Sequence, residues 1–237
     1  MKSIILIDAD SLCYIGNKCE EVEQAYDKVD EALSNIISTS EASHYSIFVE
    51  KPFNNSFRKK IVKSYKKSRA NKELPKFYNE IKEYLLGSWN ALGISGYESD
   101  DVIISHYFKI KKEYPFTDVM IASMDKDLRQ YSVKIFDTYY QRFGNVYEIS
   151  EDEADYNFWL QMIMGDVVDS ISGVKGKGVK KAESILNGSK NRFIAVCRTY
   201  KEVYGSRWQK EFIKNMVQVR LLDNLNVEID LSEASYE

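Results

Sequence analysis

The stretch S-I-I-L-I-D-A-D, residues 3–10, predicts the class of fold. An unbroken run of β-branched and aliphatic residues that ends in acids is typical of a parallel strand buried on both faces. Ligands of open α/β sheets bind at the carboxyl ends of the strands, where Asp8 stands. The alternative, an acid that caps the next helix, is common. We favour a functional role for Asp8, and less strongly for Asp10.

The same pattern recurs along the chain. Residues 45–49 form a second apolar run that ends in Glu50, and residues 118–124 form a third that is followed by Asp125 and Asp127. Alternate residues of an extended chain point the same way, so these two aspartates are expected to face one point. Runs at helical spacing complete an α/β pattern. We predict a fourth strand at 133–136, amphipathic helices at 20–38 and 75–92, and mostly helices over 151–222.

Composition limits the function classes. The 237 residues suffice for one α/β domain, alone or with a small helical part, and 44% hydrophobic and 29% charged residues are typical of a soluble globular protein. The net charge of −3 gives no global signal for nucleic acid. Three cysteines without metal-type spacing predict reduced thiols in a cytoplasmic compartment, and two histidines leave carboxylates as the expected metal ligands. No apolar run is long enough for a membrane span or a signal peptide.

Residues 57–72 form a strongly basic segment. Half of them are Lys or Arg, and no acid lies among them. A solvated helix face normally mixes both signs, so we favour an arm that binds a polyanion. Phe57 and Tyr65 lie among the lysines, and we expect them to stack on bases.

Three acids gather at the predicted start of a helix, namely Glu98, Asp100 and Asp101. Acids are favourable in a first helical turn because of the helix dipole, which is the structural alternative. Three carboxylates within four residues exceed what a cap needs and repel one another without a cation. We therefore favour a cluster that faces a metal ion.

Residues 164–181, M-G-D-V-V-D-S-I-S-G-V-K-G-K-G-V-K-K, combine acids with a glycine-rich basic turn. If the segment ends a helix, Asp166 and Asp169 share one face. The glycines let backbone N–H groups approach an anion closely. Val179 stands where a P-loop has its lysine, so this is no P-loop. An ordinary solvated loop explains the segment equally well when it is taken alone.

Taken together, the acids form an all-oxygen set suited to Mg²⁺ or Mn²⁺. Such a set can hold two ions about 4 Å apart, the geometry of in-line displacement at phosphorus. With two basic elements for a polyanion, the pattern indicates a metal-dependent nuclease. The predicted metal-binding acids are Asp8, Glu50, Glu98, Asp100, Asp101, Asp125, Asp127, Asp166 and Asp169.

Five motifs in one order resemble the flap endonuclease/5′-nuclease family, particularly its short bacteriophage members, over residues 4–186. I-D-A-D resembles the first-strand motif, and Y-K-K-S-R at 65–69 resembles Y-K-x-x-R in the helical arch of the family. G-Y-E-S-D-D at 96–101 resembles G-x-E-A-D-D, and S-M-D-K-D-L-R-Q at 123–130 is similar to S-x-D-K-D-x-x-Q. G-D-V-V-D-S-I-S-G-V at 165–174 is similar to G-D-x-x-D-N-I-x-G-V.

The resemblance implies a PIN-like (resolvase-like) α/β fold with a twisted, mostly parallel sheet flanked by helices. It implies a nuclease domain at 1–155 with a basic arch at about 52–75. A helical DNA-binding region would follow at 156–237, with a helix–turn–helix clamp at about 166–186 that carries a K⁺ ion. Two or more Mg²⁺ or Mn²⁺ ions would be held by the acids directly or through water. Asp101 would not contact an ion itself but would support the acids that do.

Catalytic contacts to the scissile phosphate would come from Lys66 and Arg69. The implied reaction is two-metal hydrolysis of DNA by a flap endonuclease or 5′-3′ exonuclease in replication or repair, including primer removal. The partners would be branched or 5′-ended DNA, or an RNA/DNA hybrid, together with replication proteins. We expect a monomer in the cytoplasm, that of the host if a phage encodes the chain. The predicted DNA contacts are Tyr65, Lys66, Lys67, Arg69, Lys175, Gly176, Lys177, Gly178, Lys180 and Lys181.

Several residues depart from the family pattern. Glu50 stands where the family usually has Asp, Asp10 and Ser99 replace small residues, and Ser170 replaces Asn. Three rival functions remain open. A PIN-like ribonuclease would share the acids without the two basic elements, and a non-catalytic DNA-binding protein would have lost acids. A small-molecule phosphatase would have no use for the basic elements.

Overall fold

The computed structural model describes residues 3–51, 56–69 and 73–225. Its centre is a five-stranded sheet in the order β2-β1-β3-β4-β5. The first four strands are parallel and β5 is antiparallel at the edge. The predicted twisted α/β class and its four parallel strands are confirmed. The strands are β1 (Ser3–Asp8), β2 (His44–Phe48), β3 (Asp118–Ser123), β4 (Lys134–Asp137) and β5 (Val146–Glu148).

The strand register brings the predicted acids to one edge. Ile7 of β1 lies opposite Ile47 of β2 and Ala122 of β3, so these strands end at one level. Asp8 ends β1, and Asp125 comes two residues after the end of β3. Because the carboxyl ends of parallel strands lie at the same edge of a sheet, side chains distant in sequence meet there.

Helices cover both faces of the sheet and form most of the chain after β5. Predicted helix 20–38 corresponds to α1, and predicted helix 75–92 is shorter than expected because Leu92 leaves the helix to bridge Phe48. Short 3₁₀ segments occupy Asp10–Lys18, Lys67–Arg69, Lys126–Gln130 and Gly205–Arg207. The helices are α1 (Val22–Ser40), α2 (Phe57–Ile61), α3 (Tyr78–Ser88), α4 (Ser99–Glu113), α5 (Glu151–Met164), α6 (Val179–Asn187), α7 (Arg192–Tyr204) and α8 (Trp208–Val219).

Strand β1 separates two hydrophobic clusters, which explains its uninterrupted apolar sequence. Ile4 and Leu6 pack in the cluster beneath α4, whereas Ile5 and Ile7 pack against α1 and α3 on the opposite face. A third cluster, which includes Met162 of α5, fills the helical part. Helix α5 is continuous across the predicted domain boundary at 155/156, so the two predicted regions share this helix.

Some predicted features fall outside the described residues. These are two parts of the arch, residues 52–55 and 70–72, and residues 226–237 of the predicted DNA-binding region. No helix in the described ranges is both long and apolar enough to cross a membrane.

Candidate active site

A cavity of about 460 Å³ opens at the carboxyl edge of the sheet. Of the nine predicted metal-binding acids, only Asp101 does not line it. The structure also brings Asp10, Lys66, Arg69 and Lys126 to this cavity. The acids in its walls are Asp8, Asp10, Glu50, Glu98, Asp100, Asp125, Asp127, Asp166 and Asp169.

A chain of hydrogen bonds orders the acids that come after β1 and β3. The hydroxyl of Ser123 donates to Asp8 Oδ2 at 2.9 Å and accepts the backbone N–H of Asp125 at 3.0 Å. Asp125 Oδ1 accepts the backbone N–H of Asp127 at 2.8 Å. Gln161 of α5 donates from Nε2 to Asp127 Oδ1 at 2.9 Å. The two strand ends and α5 thus hold three carboxylates in fixed orientations.

Glu98 has the most donors around its carboxylate. It receives hydrogen bonds from Tyr65 Oη and Lys66 Nζ, each at 2.9 Å, and Arg58 Nη1 lies 3.4 Å away. Burial alone would raise the pKa of Glu98, but Lys66 and Arg58 outweigh it and hold the pKa below its ordinary value. Glu98 therefore stays ionised, as a metal ligand must.

Other acids of the cavity repel one another. Burial raises the pKa of Asp8 to about 7, with further contributions from Asp10 and Asp125. Burial and then Asp125 raise the pKa of Asp127 to about 7, and burial raises that of Asp100 well above its usual range. Burial is the largest cause of these shifts, the neighbouring carboxylates add to it, and a bound cation would act in the opposite direction.

The donor chemistry fits a hard divalent cation, because every candidate ligand is a carboxylate oxygen. Among the described residues, however, no three Asp, Glu, His or Cys side chains already form a group that could hold a metal ion. Several carboxylates instead contact ammonium or guanidinium groups: Lys66 pairs with Glu98, Arg69 with Asp169 and Lys126 with Asp166. Closing around an ion would require these contacts to be exchanged.

Asp101 lies behind the cavity. Its side chain is fully buried and accepts two hydrogen bonds from Arg58, at 2.5 Å and 2.8 Å. It also accepts the backbone N–H of Leu222 at 2.9 Å. As a direct metal ligand Asp101 is therefore ruled out in this arrangement. It instead holds Arg58, which contacts Glu98.

The condition for a shared helical face of Asp166 and Asp169 is not met. Helix α5 ends at Met164, and Asp166 bridges to Ile171 in a tight turn. Asp166 Oδ1 accepts the backbone N–H groups of Val168 at 2.7 Å and Asp169 at 3.2 Å. The turn therefore brings Ile171 back beside Asp166.

Gly165 permits this tight turn. It has a φ of +71°, and a Cβ added there would lie 2.3 Å from the carbonyl oxygen of Ile171. Only glycine fits that conformation and that contact. The turn still places both carboxylates in the cavity.

The described part of the basic segment is anchored in the cavity instead of extending as an arm. Tyr65 is 4% exposed and its hydroxyl is bound to Glu98, so the prediction that its ring stacks on bases does not hold in this structure. Phe57 packs against Tyr97 and is only half-buried. The backbone N–H of Lys66 donates to the carbonyl of Asp169 at 2.8 Å. This bond links the segment to the Asp166–Asp169 turn.

The glycine-lysine turn forms an exposed basic surface before α6. Lys175 and Lys180 are exposed, and Lys181 donates to the carbonyl of Gly176 at 3.0 Å. Lys177 is half-buried and pairs with Glu202 at 3.4 Å. Since a side chain at Gly176 or Gly178 would meet nothing within 4 Å, the backbone there is open to a large ligand.

Sequence reasoning missed Lys126, which lines the cavity, and Lys82, whose Nζ lies 3.5 Å from Oδ1 of the cavity residue Asp10. Lys126 stands between two predicted ligands, and that position was a usable signal. Lys82 lies among the mixed charges of α3, where nothing in the sequence distinguishes an inward lysine from a solvated one. The sequence also gave no signal that the side chains of Ser123 and Gln161 would donate hydrogen bonds to Asp8 and Asp127.

Comparison with known proteins identifies the family. Residues 3–156 match the 5′-3′ exonuclease N-terminal resolvase-like domain. The chain belongs to this family. The resemblance to 5′-nucleases inferred from the motifs is thereby confirmed, since the matched residues span the arch and the acids before α5.

Curated relatives of this family member include longer proteins. The chain is 32% identical over 147 residues to the 5′-3′ exonuclease of Mycoplasmopsis pulmonis, a match that covers 57% of this chain and 48% of that protein. It is 29% identical over 140 residues to DNA polymerase I of Rhizobium leguminosarum, covering 55% of this chain and 14% of that protein. The chain thus matches half or less of each relative.

Solved structures share the fold. The T5 D15 protein co-crystallised with metal ions has a TM-score of 0.68 at 18% identity, with 93% of this chain and 90% of that chain covered. The bacteriophage T5 D15 flap endonuclease (D155K) complex with DNA and metal ions has a TM-score of 0.67 at 18% identity, with 93% and 89% covered. At these identities the likeness shows the architecture alone.

Proposed function

We propose that this protein is a divalent-metal-dependent nuclease that hydrolyses DNA at branched or 5′-ended sites, as a flap endonuclease or 5′-3′ exonuclease. One observation carries the proposal. Eight predicted carboxylates and two basic side chains of the arch segment converge on one cavity. Membership of the 5′-3′ exonuclease family supports it. Replication or repair, including primer removal, is the process we propose for it.

The metal ligands we propose come from four segments of the chain. When bound, Mg²⁺ or Mn²⁺ ions supply the Lewis acid that activates water and stabilises the leaving oxygen. The carboxylates hold and orient them, and Ser123, Gln161 and Arg58 fix the carboxylates. The proposed ligands are Asp8, Glu98, Asp100, Asp125, Asp127, Asp166 and Asp169.

Lys66 and Arg69 are proposed to stabilise the scissile phosphate. Their ion pairs with Glu98 and Asp169 keep both cationic groups at the cavity, from which they can turn to a phosphate once the carboxylates bind ions. Preorganised positive groups aimed at developing charge lower the barrier because they need no reorganisation during the reaction. Lys67, which is exposed beside them, would contact the DNA backbone.

The exposed turn before α6 is proposed as a duplex clamp. Its lysines and open glycine backbone suit phosphates of DNA, and a K⁺ ion is proposed to bind there. The T5 relative was crystallised with DNA and metal ions, which supports DNA as the ligand. The proposed contacts are Lys175, Gly176, Lys177, Gly178, Lys180 and Lys181, within a DNA-binding region that comes after the nuclease domain.

The decisive experiment compares a 5′-labelled flap DNA with a single-stranded RNA of matched sequence, each with Mg²⁺ and with a chelator. We expect Mg²⁺-dependent cutting near the junction of the flap and no cutting of the RNA. Cutting of the RNA alone would instead identify a PIN-like ribonuclease. Tight binding of the flap without cutting in Mg²⁺ or Mn²⁺ would identify a non-catalytic DNA-binding protein.

A further inference from the structure

Three residues that depart from the family pattern are joined through Asp10 on one wall of the cavity. Asp10 Oδ2 accepts the hydroxyl of Ser99 at 2.5 Å, and Asp10 Oδ1 accepts the backbone N–H of Glu50 at 3.0 Å. A fourth residue joins them: Lys82 Nζ lies 3.5 Å from Asp10 Oδ1 and donates to the carbonyl of Glu50 at 2.8 Å. We call Asp10, Glu50, Lys82 and Ser99 the Glu50 wall.

The ammonium of Lys82 is fixed in this wall. Its side chain is 4% exposed, and its Nζ also lies 5.0 Å from the ring centroid of Tyr78. Lys126, by contrast, is 58% exposed at its side chain where it pairs with Asp166. A buried ammonium is costly unless it is paired and hydrogen-bonded, and here both conditions are met. Lys82 therefore stays where it is.

The oxygens of Asp10 are already engaged. Oδ1 faces the Glu50 N–H and the Lys82 ammonium, and Oδ2 accepts from Ser99. Lys82 and Lys66 both offset the negative charge at Glu50, and both act against the effect of burial on its pKa. A divalent cation beside Glu50 would be repelled by the fixed ammonium of Lys82. It would also find both carboxylate oxygens of Asp10 already in contact with other groups.

We propose that Lys82, held by Asp10, is a built-in cation of the Glu50 wall, and that divalent ions bind to the other carboxylates of the cavity and not to Glu50 or Asp10. The inference rests on the proposed function, which it refines: Glu50 is a neighbour of the metal site and not a ligand. Asp10 and Lys82 are positioning residues, since they act through the charge and the backbone of Glu50.

The wild-type protein gives the first test. Crystals soaked in Mn²⁺ alone are expected to show anomalous peaks against some of Asp8, Glu98, Asp100, Asp125, Asp127, Asp166 and Asp169, with no peak ligated by Glu50 or Asp10. A peak ligated by Glu50 or Asp10 would overturn the inference and leave the proposed function standing. No Mn²⁺ anywhere in the cavity would contradict the proposed function itself, and the inference with it.

Variants give the second test, read by Mn²⁺ titration calorimetry. Lys82→Gln keeps a donor for the Glu50 carbonyl but removes the charge, so we expect one additional Mn²⁺ per chain or about tenfold tighter binding of the weakest ion. Lys82→Arg keeps the charge and should bind Mn²⁺ as the wild type does. The matched control is Lys134→Gln, which removes a lysine paired with Asp118 at the start of β3, away from the cavity.

Thermal melting confirms that each variant is folded before titration. Unchanged stoichiometry and affinity in folded Lys82→Gln would overturn the inference. So would tighter binding in Lys134→Gln of the same size, since the effect would then be one of net charge. Should Lys82→Gln not fold, the crystal test on the wild type decides alone.

Discussion

Arg58 shows how one buried side chain can serve both the fold and the cavity. Its guanidinium joins α2, Asp101 and Glu98 at the start of α4, and the carbonyl of Arg220, which accepts from Nη2 at 2.7 Å. The sequence placed Arg58 in a basic segment and gave no sign that it points inward. A run of like charges predicts a polyanion partner, but it cannot show which of its members meets an internal acid.

The variant Arg58→Met tests how much the contacts of Arg58 contribute to the stability of the fold. Removing the guanidinium leaves Asp101 buried without its partner, so we expect a loss of about 3–5 kcal/mol in the free energy of unfolding. Urea titration measures it. The matched control is Arg192→Met, whose partners Asp152 and Asp155 are exposed, with an expected loss of at most about 1 kcal/mol. Equal losses in the two variants would contradict the role given to Arg58.

His106 predicts a pH dependence of stability. It is fully buried on α4 beside the ring of Phe48, neither ring nitrogen has a hydrogen-bond partner, and burial followed by Lys109 lowers its pKa to about 4. The unfolded chain binds a proton near pH 6.5 and the folded protein does not. The protein is therefore destabilised by this group as the pH falls from about 6.5 towards 4.

His106→Leu removes that dependence. Relative to the wild type, the variant should gain about 2 kcal/mol of unfolding free energy between pH 7.5 and pH 5.0. Urea titrations of both proteins at the two pH values measure the difference. The cavity carboxylates titrate in both proteins, so they cancel. A difference that stays constant with pH would show that His106 does not stay neutral in the folded protein.

At the scale of elements, the hydrophobic pattern located most helices and strands β1 to β4, because most residues of these strands are buried. It gave no signal for the edge strand β5, which is largely exposed. The residues at which helices end were less predictable. Helix α3 stops at Ser88 because the residues after it pair with the end of β2, a tertiary contact without a local signal. The acids after α5 were correctly placed near the others, yet in a turn instead of a helix, since Gly165 adopts a left-handed conformation there.

The basic turn before α6 is an element whose function can be tested by its salt dependence. Each lysine that contacts a phosphate contributes about one unit to the slope of log K against log salt. Lys175→Gln combined with Lys180→Gln should weaken duplex binding and reduce the slope by about 2. Fluorescence anisotropy at several salt concentrations measures it.

The control for that measurement is Lys112→Gln combined with Lys134→Gln. Lys112 lies at the end of α4 and Lys134 at the start of β4, both at the edge of the sheet opposite the cavity. The slope of this control should equal that of the wild type. If the two double variants reduce the slope equally, binding depends on net charge and the turn is no clamp.

At the scale of the whole molecule, the fold converts a scattered set of acids into one site. Asp8 and Asp125 stand far apart in sequence but lie at the ends of neighbouring strands, so the class of fold predicts that they meet. Arrangements across elements, such as Lys82 against Asp10, depend on side-chain directions that no periodicity encodes. The position of the site was thus predictable from the sequence, whereas its internal charge balance was not.

The measurement that tests the central claim most directly compares Asp125→Asn with Asp118→Asn on one flap DNA. Asp118 begins strand β3 and Asp125 comes two residues after its end, but only Asp125 lines the cavity. We expect Asp125→Asn to cut about 100-fold to 1000-fold more slowly in Mg²⁺ while binding the flap as tightly as the wild type, and Asp118→Asn to cut normally. Wild-type cutting by Asp125→Asn, or lost binding with retained turnover, would contradict the claim that these carboxylates perform the chemistry.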